Sequence, residues 1–112
     1  VSPEDARRNR DYEMYFWADN FGNLAALKTM TSIGGEVAAL TGKWNPYPDG
    51  PLGVIEAGAY ADILLVDGNP LEDITILGAS PDQYGAPDRA AGEIETMDLI
   101  MKDGVIYKNT LD

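Results

Sequence analysis

Residues 53–71, GVIEAGAYADILLVDGNPL, decide the predicted fold, because the character of the sequence changes there. Ile63 to Val66 form a continuous apolar run of strand length, which is typical of a β-strand covered on both faces. Gly68-Asn69-Pro70 ends this strand, since glycine and proline favour turns. Gly53 to Ile55 predict a shorter strand ahead of it, followed by a turn over Glu56 to Gly58.

The chain beyond this stretch predicts a hairpin. Thr96 to Lys102 form one strand and Val105 to Lys108 the return strand. Asp103-Gly104 joins them in a tight turn, because glycine tolerates the positive φ that such a turn needs. Residues 71–77 fit either a helical turn or a strand, and the polar residues 78–92 predict a long surface loop.

The chain ahead of this stretch predicts three helices. Ser2 caps the first, Pro3 suits its first turn, and the helix runs to about Ala18. The second covers Leu24 to Met30, and the third covers Ile33 to Thr41.

The third predicted helix carries an apolar stripe. Ile33, Val37 and Leu40 follow helical spacing, so we expect them to form one buried face, with Ser32 as the cap of the helix. Gly34 and Gly35 weaken a helix but permit close packing against another backbone.

A proline-rich loop separates the helices from the strands. Pro46, Pro48 and Pro51 exclude a regular helix, and we expect Trp44 and Tyr47 to anchor the segment. The predicted organisation is a helical part over 1–42, a Pro-rich linker over 43–52 and a β-rich part over 53–112.

Composition limits the class of protein. The 112 residues suffice for one small domain, and a net charge of -11 argues against nucleic-acid binding. The sequence has no Cys, and no apolar run approaches the roughly 20 residues that span a bilayer, so no membrane partner is predicted. The chain begins at Val1 with no signal peptide and no initiator Met, which fits a fragment or a processed chain. Nothing in the composition indicates a compartment.

The absence of His removes many reactions from consideration. Ser-His-Asp triads, His general bases and His metal sites are all excluded. Paired carboxylates could carry acid–base chemistry or bind Mg²⁺ or Ca²⁺. The candidates in this sequence are Glu4-Asp5, Glu72-Asp73 and the pair Glu93 and Glu95. Each lies at a helix start or in a polar segment, where solvated carboxylates are usual.

Two further patterns have a structural and a functional interpretation. Asp67-Gly68-Asn69 is partly like a calcium loop, but Pro70 and Leu71 follow where further oxygen ligands are needed, so a strand-ending turn is favoured. Four aromatic side chains of the first helix form either a core or interface face or a ligand platform: Tyr12, Tyr15, Phe16 and Trp17. Their helical spacing favours the core or interface.

Three segments resemble the metal-dependent amidohydrolase superfamily. Residues 53–71 are similar to the segment that follows the catalytic barrel in that family, and Leu99 to Lys108 resemble its closing strands. Leu24 to Gly42, with Leu27, Lys28 and Thr31, is similar to its last barrel helices. The resemblance covers about Leu24 to Lys108 in the family's order, and imidazolonepropionase-like and Xaa-Pro dipeptidase-like members are most similar. Residues 1–22 and 78–92 carry no recognisable resemblance.

The resemblance implies an α+β fragment. It would comprise the last helices of a (β/α)8 barrel followed by the C-terminal strands of the β-sandwich (composite) domain. The family's zinc or other divalent metal is held by four His, often a bridging Lys and an Asp that lies upstream of this segment. No residue here matches those ligands, so no catalytic, cofactor-binding or metal-binding residue is assigned.

The sequence therefore leads to one principal expectation and two alternatives. The principal one is the C-terminal structural portion of a metal-dependent hydrolase that acts on C–N bonds of amides, cyclic amides or dipeptides, and that is not catalytic by itself. We expect exposed strands to bind the rest of the parent enzyme or to self-associate. The alternatives are a non-catalytic binding or oligomerisation module that works with a partner chain, and an enzyme that uses carboxylates alone.

Overall fold

Three α-helices precede a three-stranded antiparallel sheet in the computed structural model, which describes residues 2–85 and 87–111. The helices are α1 (Pro3–Phe21), α2 (Asn23–Met30) and α3 (Ser32–Ala39). The strands are β1 (Ile63–Val66), β2 (Met97–Lys102) and β3 (Val105–Asn109). Short 3-10 helices lie at Gly42–Trp44, Ile74–Leu77 and Ala91–Glu93.

The start of α1 follows the predicted capping pattern. The Ser2 hydroxyl accepts a hydrogen bond from the Asp5 amide at 3.1 Å, and a proline occupies the first turn. The helix continues past Ala18 to Phe21 and ends at Gly22, whose φ of 90° is open to glycine. The predicted start is confirmed, and the helix is three residues longer than predicted.

Helix α3 differs from the sequence prediction in its cap and in the face that it buries. Its cap is Thr31, and Ser32 lies inside the helix, so the predicted Ser32 cap is wrong. The predicted apolar stripe is exposed rather than buried: Val37 is 58% exposed and Leu40 85%. The buried residue of α3 is Gly35, on the opposite face of the helix.

Glycine explains why α3 packs by that face. A Cβ on Gly35 would overlap the Leu52 carbonyl, and a Cβ on Gly53 would overlap the Thr31 carbonyl. The two contacts are reciprocal and seat the start of α3 backbone to backbone on residues 52–53. The expectation that Gly34 and Gly35 permit close packing is therefore confirmed for Gly35.

The same contact removes one predicted strand. Residues 53–55 are not in a strand, so the sequence prediction for Gly53 to Ile55 is wrong. Gly53 has a φ of 79°, outside the extended region, because its backbone turns against α3.

The sheet has the order β1-β2-β3, with both pairs antiparallel. Ile63 lies opposite Met101 and Leu65 opposite Leu99. The β2–β3 turn is formed by Asp103, at φ 48°, and Gly104, at φ 76°, so the predicted hairpin is confirmed.

A small apolar core lies between α1, α2, the 3-10 helix Ile74–Leu77 and β2. It contains seven enclosed side chains: Ala18, Ala26, Ile74, Leu77, Ala79, Ile94 and Met97. In the ambiguous segment 71–77, Ile74–Leu77 form a 3-10 helix. The described residues of 78–90 are irregular, as predicted for a loop, but Gly78 and Ala79 at its start are buried.

The chain is thus a small α+β domain, which confirms the predicted class. The boundaries at 42/43 and 52/53 stay a prediction.

Candidate functional site

An open cleft of about 520 Å³ lies where three loops meet. Residues 46–49, 58–61 and 103–104 line it. Its side chains combine two tyrosines, two prolines and two carboxylates: Tyr47, Tyr60, Pro46, Pro48, Asp49 and Asp103. The three loops are separate in sequence, so no single local motif predicted this cleft.

Hydrogen bonds hold the loops of the cleft in place. The Asn45 side chain bonds both the amide and the carbonyl of Tyr47, at 2.9 and 3.2 Å, and so closes a ring around Pro46. The Tyr60 amide donates to the Pro51 carbonyl, and the Tyr60 hydroxyl accepts from the Asp49 amide at 3.2 Å. The cleft is preformed within this chain.

The third loop is tied to Ala61 and Asp62, which directly precede β1. The Gly104 amide donates to the Ala61 carbonyl at 3.1 Å, and the Asp103 amide donates to an Asp62 carboxylate oxygen at 2.8 Å. The hairpin turn and the second loop of the cleft therefore keep a constant spacing.

Lys102 borders the cleft beside Tyr47. Its Nζ lies 5.0 Å from the centre of the Tyr47 ring, 3.4 Å from the Tyr47 hydroxyl and 3.8 Å from an Asp62 oxygen. The Tyr47 hydroxyl, followed by the Asp62 charge, raises the pKa of Lys102, so this ammonium group stays charged. Tyr47 and Tyr60 meet edge to face with their ring centres 5.4 Å apart.

Tyr47 thus anchors the proline-rich segment, as predicted, but Trp44 does not. Trp44 is 79% exposed, with the Lys43 ammonium group 5.3 Å from its ring.

A second polar cluster joins the first half of α1 to residues 88–89. All four arginines of the sequence belong to it, namely Arg7, Arg8, Arg10 and Arg89. Two nitrogens of Arg7 bond the Asp88 carboxylate, and the Arg10 guanidinium donates to the Arg89 carbonyl at 3.4 Å. The hydrogen bond between Arg7 and Asp88 raises the pKa of Arg7 and lowers the pKa of Asp88.

Asp11 is the buried member of this cluster. It is 0% exposed, and one of its oxygens pairs with Arg10 at 2.7 Å. Its other oxygen has no hydrogen-bond partner among the described residues. The Asp11 carbonyl accepts from the Ser80 amide at 3.0 Å, which fixes the residue 80 segment to α1. Sequence periodicity did not single out Asp11, because an acidic residue in a helix is ordinarily solvated.

The predicted aromatic face of α1 is divided by the structure. Tyr15 packs against the core, whereas Phe16 and Trp17 are exposed. Tyr12 lies 6.3 Å from Phe16, and Trp17 lies 4.9 Å from Phe21, measured between ring centres. These exposed rings add apolar surface that the described residues do not cover.

The sheet is also left uncovered. Leu64 and Leu65 of β1 are 49% and 44% exposed, although the sequence predicted burial on both faces. Val105, Ile106 and Tyr107 of β3 are more than half exposed, and β1 and β3 are the two edges of the sheet. Open edges with apolar side chains are surfaces on which another strand can pair.

One carboxylate of each candidate pair makes short-range hydrogen bonds. Asp5 accepts from the Ser2 hydroxyl, and a Glu93 oxygen accepts from the Ala90 amide. Asp73 caps the 3-10 helix Ile74–Leu77, where the hydroxyl and amide of Thr75 lower its pKa. The structure does not gather the candidate pairs into one site. In the possible calcium loop, the Asn69 oxygen accepts from the Leu71 amide at 3.0 Å, as in a turn.

The described residues do not fit the divalent metal that the resemblance implies. They contain no group of three His, Cys, Asp or Glu side chains that could hold a metal ion. Within the same residues, no helix has the length and apolar character needed to cross a membrane.

Comparisons with known proteins give one informative similarity. No protein family model matches the chain, and no curated protein matches it. Among solved structures, the chain is similar to a prolidase crystallised with N-methylphosphonate-L-proline, at 30% identity and a TM-score of 0.58. The match covers 88% of this chain but 19% of the prolidase chain. The chain is therefore similar to one portion of a longer hydrolase, which supports the amidohydrolase resemblance at a coarse level.

Proposed function

We propose that this chain is the C-terminal structural portion of a metal-dependent amidohydrolase that hydrolyses C–N bonds, and that it is not catalytic by itself. The observation that carries the proposal is the coverage of the match: 88% of this chain corresponds to 19% of a prolidase chain. A segment that matches over nearly its whole length to a small part of an enzyme fits a component of a larger fold.

The uncovered apolar surfaces support this proposal. The stripe of α3 and the rings of Phe16, Trp17 and Phe21 in α1 are exposed in this chain. Apolar surface that a small chain leaves exposed is typical of interfaces. In the proposed parent, the helices would pack on the remainder of a (β/α)8 barrel.

The sheet fits the same interpretation. β1 and β3 each offer an unpaired edge within the described residues, so strands from the rest of the parent would extend the sheet into the β-sandwich (composite) domain. The metal ligands of the parent would also lie outside this chain, since the described residues do not fit a metal.

The decisive experiment is to determine the coding sequence upstream of Val1 and to express the longer chain. We expect the reading frame to continue for several hundred residues and to contain a His-x-His pair and further His. The longer chain should hydrolyse an Xaa-Pro dipeptide, the substrate class indicated by the ligand of the similar prolidase. It should lose this activity with a chelator and recover it with a divalent metal.

The matched control is the 112-residue chain, assayed with the same dipeptide and metal, which should give no hydrolysis. A start codon directly before Val1, together with an inactive chain, would refute the enzyme proposal.

The open sheet edges favour one second candidate, a non-catalytic binding or oligomerisation module. Exposed apolar edge strands let a chain self-associate or bind a companion without any missing domain. A stable oligomer of the 112-residue chain, encoded without an upstream extension, would favour the module over the enzyme portion.

A further inference from the structure

We infer that the cleft between residues 46–49, 58–61 and 103–104 binds a guanidinium group. This inference does not depend on the proposed enzyme, because every residue of the cleft belongs to this chain. It concerns a binding site and assigns no reaction.

The charge of the cleft favours a cation. Asp49 and Asp103 line it, and neither carboxylate forms an ion pair among the described residues. The nearby Lys102 pairs with Asp62 at 3.8 Å and is also attracted by the Asp103 carboxylate. The lining itself carries two carboxylates and no cationic side chain, in a chain whose net charge is -11. Clefts lined by charges of one sign concentrate the opposite ion.

The aromatic walls specify what kind of cation fits. Tyr47 and Tyr60 meet edge to face, and Pro46 and Pro48 lie beside them. Aromatic rings attract cations, and the planar, weakly hydrated guanidinium both stacks on rings and pairs with a carboxylate through two parallel hydrogen bonds.

A compact ammonium group is the less suitable ligand. The Lys102 ammonium already lies 5.0 Å from the Tyr47 ring centre and bonds its hydroxyl. A second ammonium would compete with Lys102 for the Tyr47 ring. A guanidinium can instead pair with Asp49 or Asp103 and contact Tyr60 and the two prolines, which also line the cleft.

The preformed loops reduce the entropic cost of binding. Asn45 closes the first loop, Tyr60 joins the first and second, and the Gly104–Ala61 hydrogen bond joins the second and third. A site that is already ordered loses little conformational freedom when a ligand enters.

The test is an NMR titration of the ¹⁵N-labelled 112-residue chain with N-acetyl-L-arginine amide, repeated by calorimetry. We expect saturable shifts confined to residues 46–49, 58–61 and 103–104, with a Kd on the order of 1 mM. N-acetyl-L-citrulline amide has nearly the same shape without the charge, and it should bind at least about ten-fold more weakly.

Three variants separate the site from the net charge. Asp49→Asn and Asp103→Asn should each weaken arginine amide binding by roughly three-fold or more, as expected for one exposed charge pair. Asn tolerates the positive φ of residue 103, so this variant should keep the hairpin turn. Asp19→Asn removes the same charge from an exposed position of α1 and should leave binding unchanged.

Equal binding of the arginine and citrulline amides, absence of saturable shifts in the cleft, or an equal loss in Asp19→Asn would each overturn the inference. Propylguanidinium chloride distinguishes the source of the group. If it binds as well as arginine amide, the site takes small guanidinium compounds. If it binds about ten-fold more weakly, the peptide groups contribute and the ligand is an arginine residue of a polypeptide.

Discussion

Apolar side chains are buried in the enclosed core but exposed on helix α3. In the core, Ile74, Leu77 and Ile94 are buried, each at most 9% exposed. In α3, the apolar stripe faces outward, and the glycine face is packed against residues 52–53. The spacing of apolar residues thus identifies the apolar face of a helix. It does not show whether other residues of the same chain pack against that face.

The largest expected effect comes from the glycine contact that seats α3. Gly53→Ala places a Cβ on the Thr31 carbonyl at a residue with φ 79°, so both overlap and backbone strain oppose folding. We expect a loss of about 3–4 kcal/mol in the free energy of unfolding, from overpacking plus the left-handed conformation. Urea denaturation followed by circular dichroism measures it.

Gly92→Ala is the matched control for that variant. Its added Cβ meets nothing within 4 Å, so the free energy of unfolding should change by less than about 0.5 kcal/mol. Similar losses in the two variants would show that α3 is not held by the Gly53 contact.

The second prediction compares equal truncations in the two regions. Ile94→Ala empties a site that is 3% exposed and should cost about 2–4 kcal/mol through lost burial and a cavity. Leu40→Ala, at 85% exposure, should change the free energy of unfolding by less than about 0.5 kcal/mol. A cost for Leu40→Ala comparable to that of Ile94→Ala would mean that the stripe is covered in solution, and its dependence on protein concentration would identify self-association.

The third prediction concerns what the exposed stripe does. Replacing Ile33, Val37 and Leu40 together by Gln should leave the urea midpoint nearly unchanged, because little buried area is lost. The same variant should be more monomeric by light scattering than the unmodified chain at high concentration. An unmodified chain that is already monomeric would contradict the expected self-association.

The smallest effect on stability is expected from the ion pair between Arg7 of α1 and Asp88. The N-terminal half of α1 meets Asp88 through Arg7, and the hydrogen bond lowers the pKa of Asp88 below its ordinary 3.8. A lowered carboxyl pKa stabilises the fold above about pH 4 and loses that contribution as the pH falls through the lowered value.

Asp88→Asn should therefore lower the melting temperature slightly at pH 7 and remove the part of the acid dependence that Asp88 contributes below about pH 4. Thermal melts at pH 7 and pH 3 measure it, and Asp19→Asn serves as the control for charge. An unchanged difference between the two pH values would show that the Arg7–Asp88 pair does not contribute in solution.

Local sequence signals were sufficient for the elements they specify. The Ser2 cap, the Gly22 break and the Asp103-Gly104 turn depend on backbone preferences within a few residues, and the structure contains all three. The strand predicted at Gly53 to Ile55 failed because a contact with α3, distant in sequence, controls the φ of Gly53.

The candidate cleft was beyond sequence prediction for a similar reason. The sequence predicts an anchoring role for Tyr47, but Tyr60 and Asp103 reach the same cleft only through hydrogen bonds between separate loops. Of the carboxylate pairs named from the sequence, Asp73 and Glu93 make local hydrogen bonds.

The sequence by itself determined the helices, strand β1 and the hairpin, because these elements depend on residue type and short-range spacing. It also excluded catalysis by His or Cys, since it contains neither. The tertiary structure decided which face of α3 is buried, where the arginines meet acidic partners and which loops form the cleft. Those outcomes depend on contacts between distant residues, and such contacts arise only when the chain has folded.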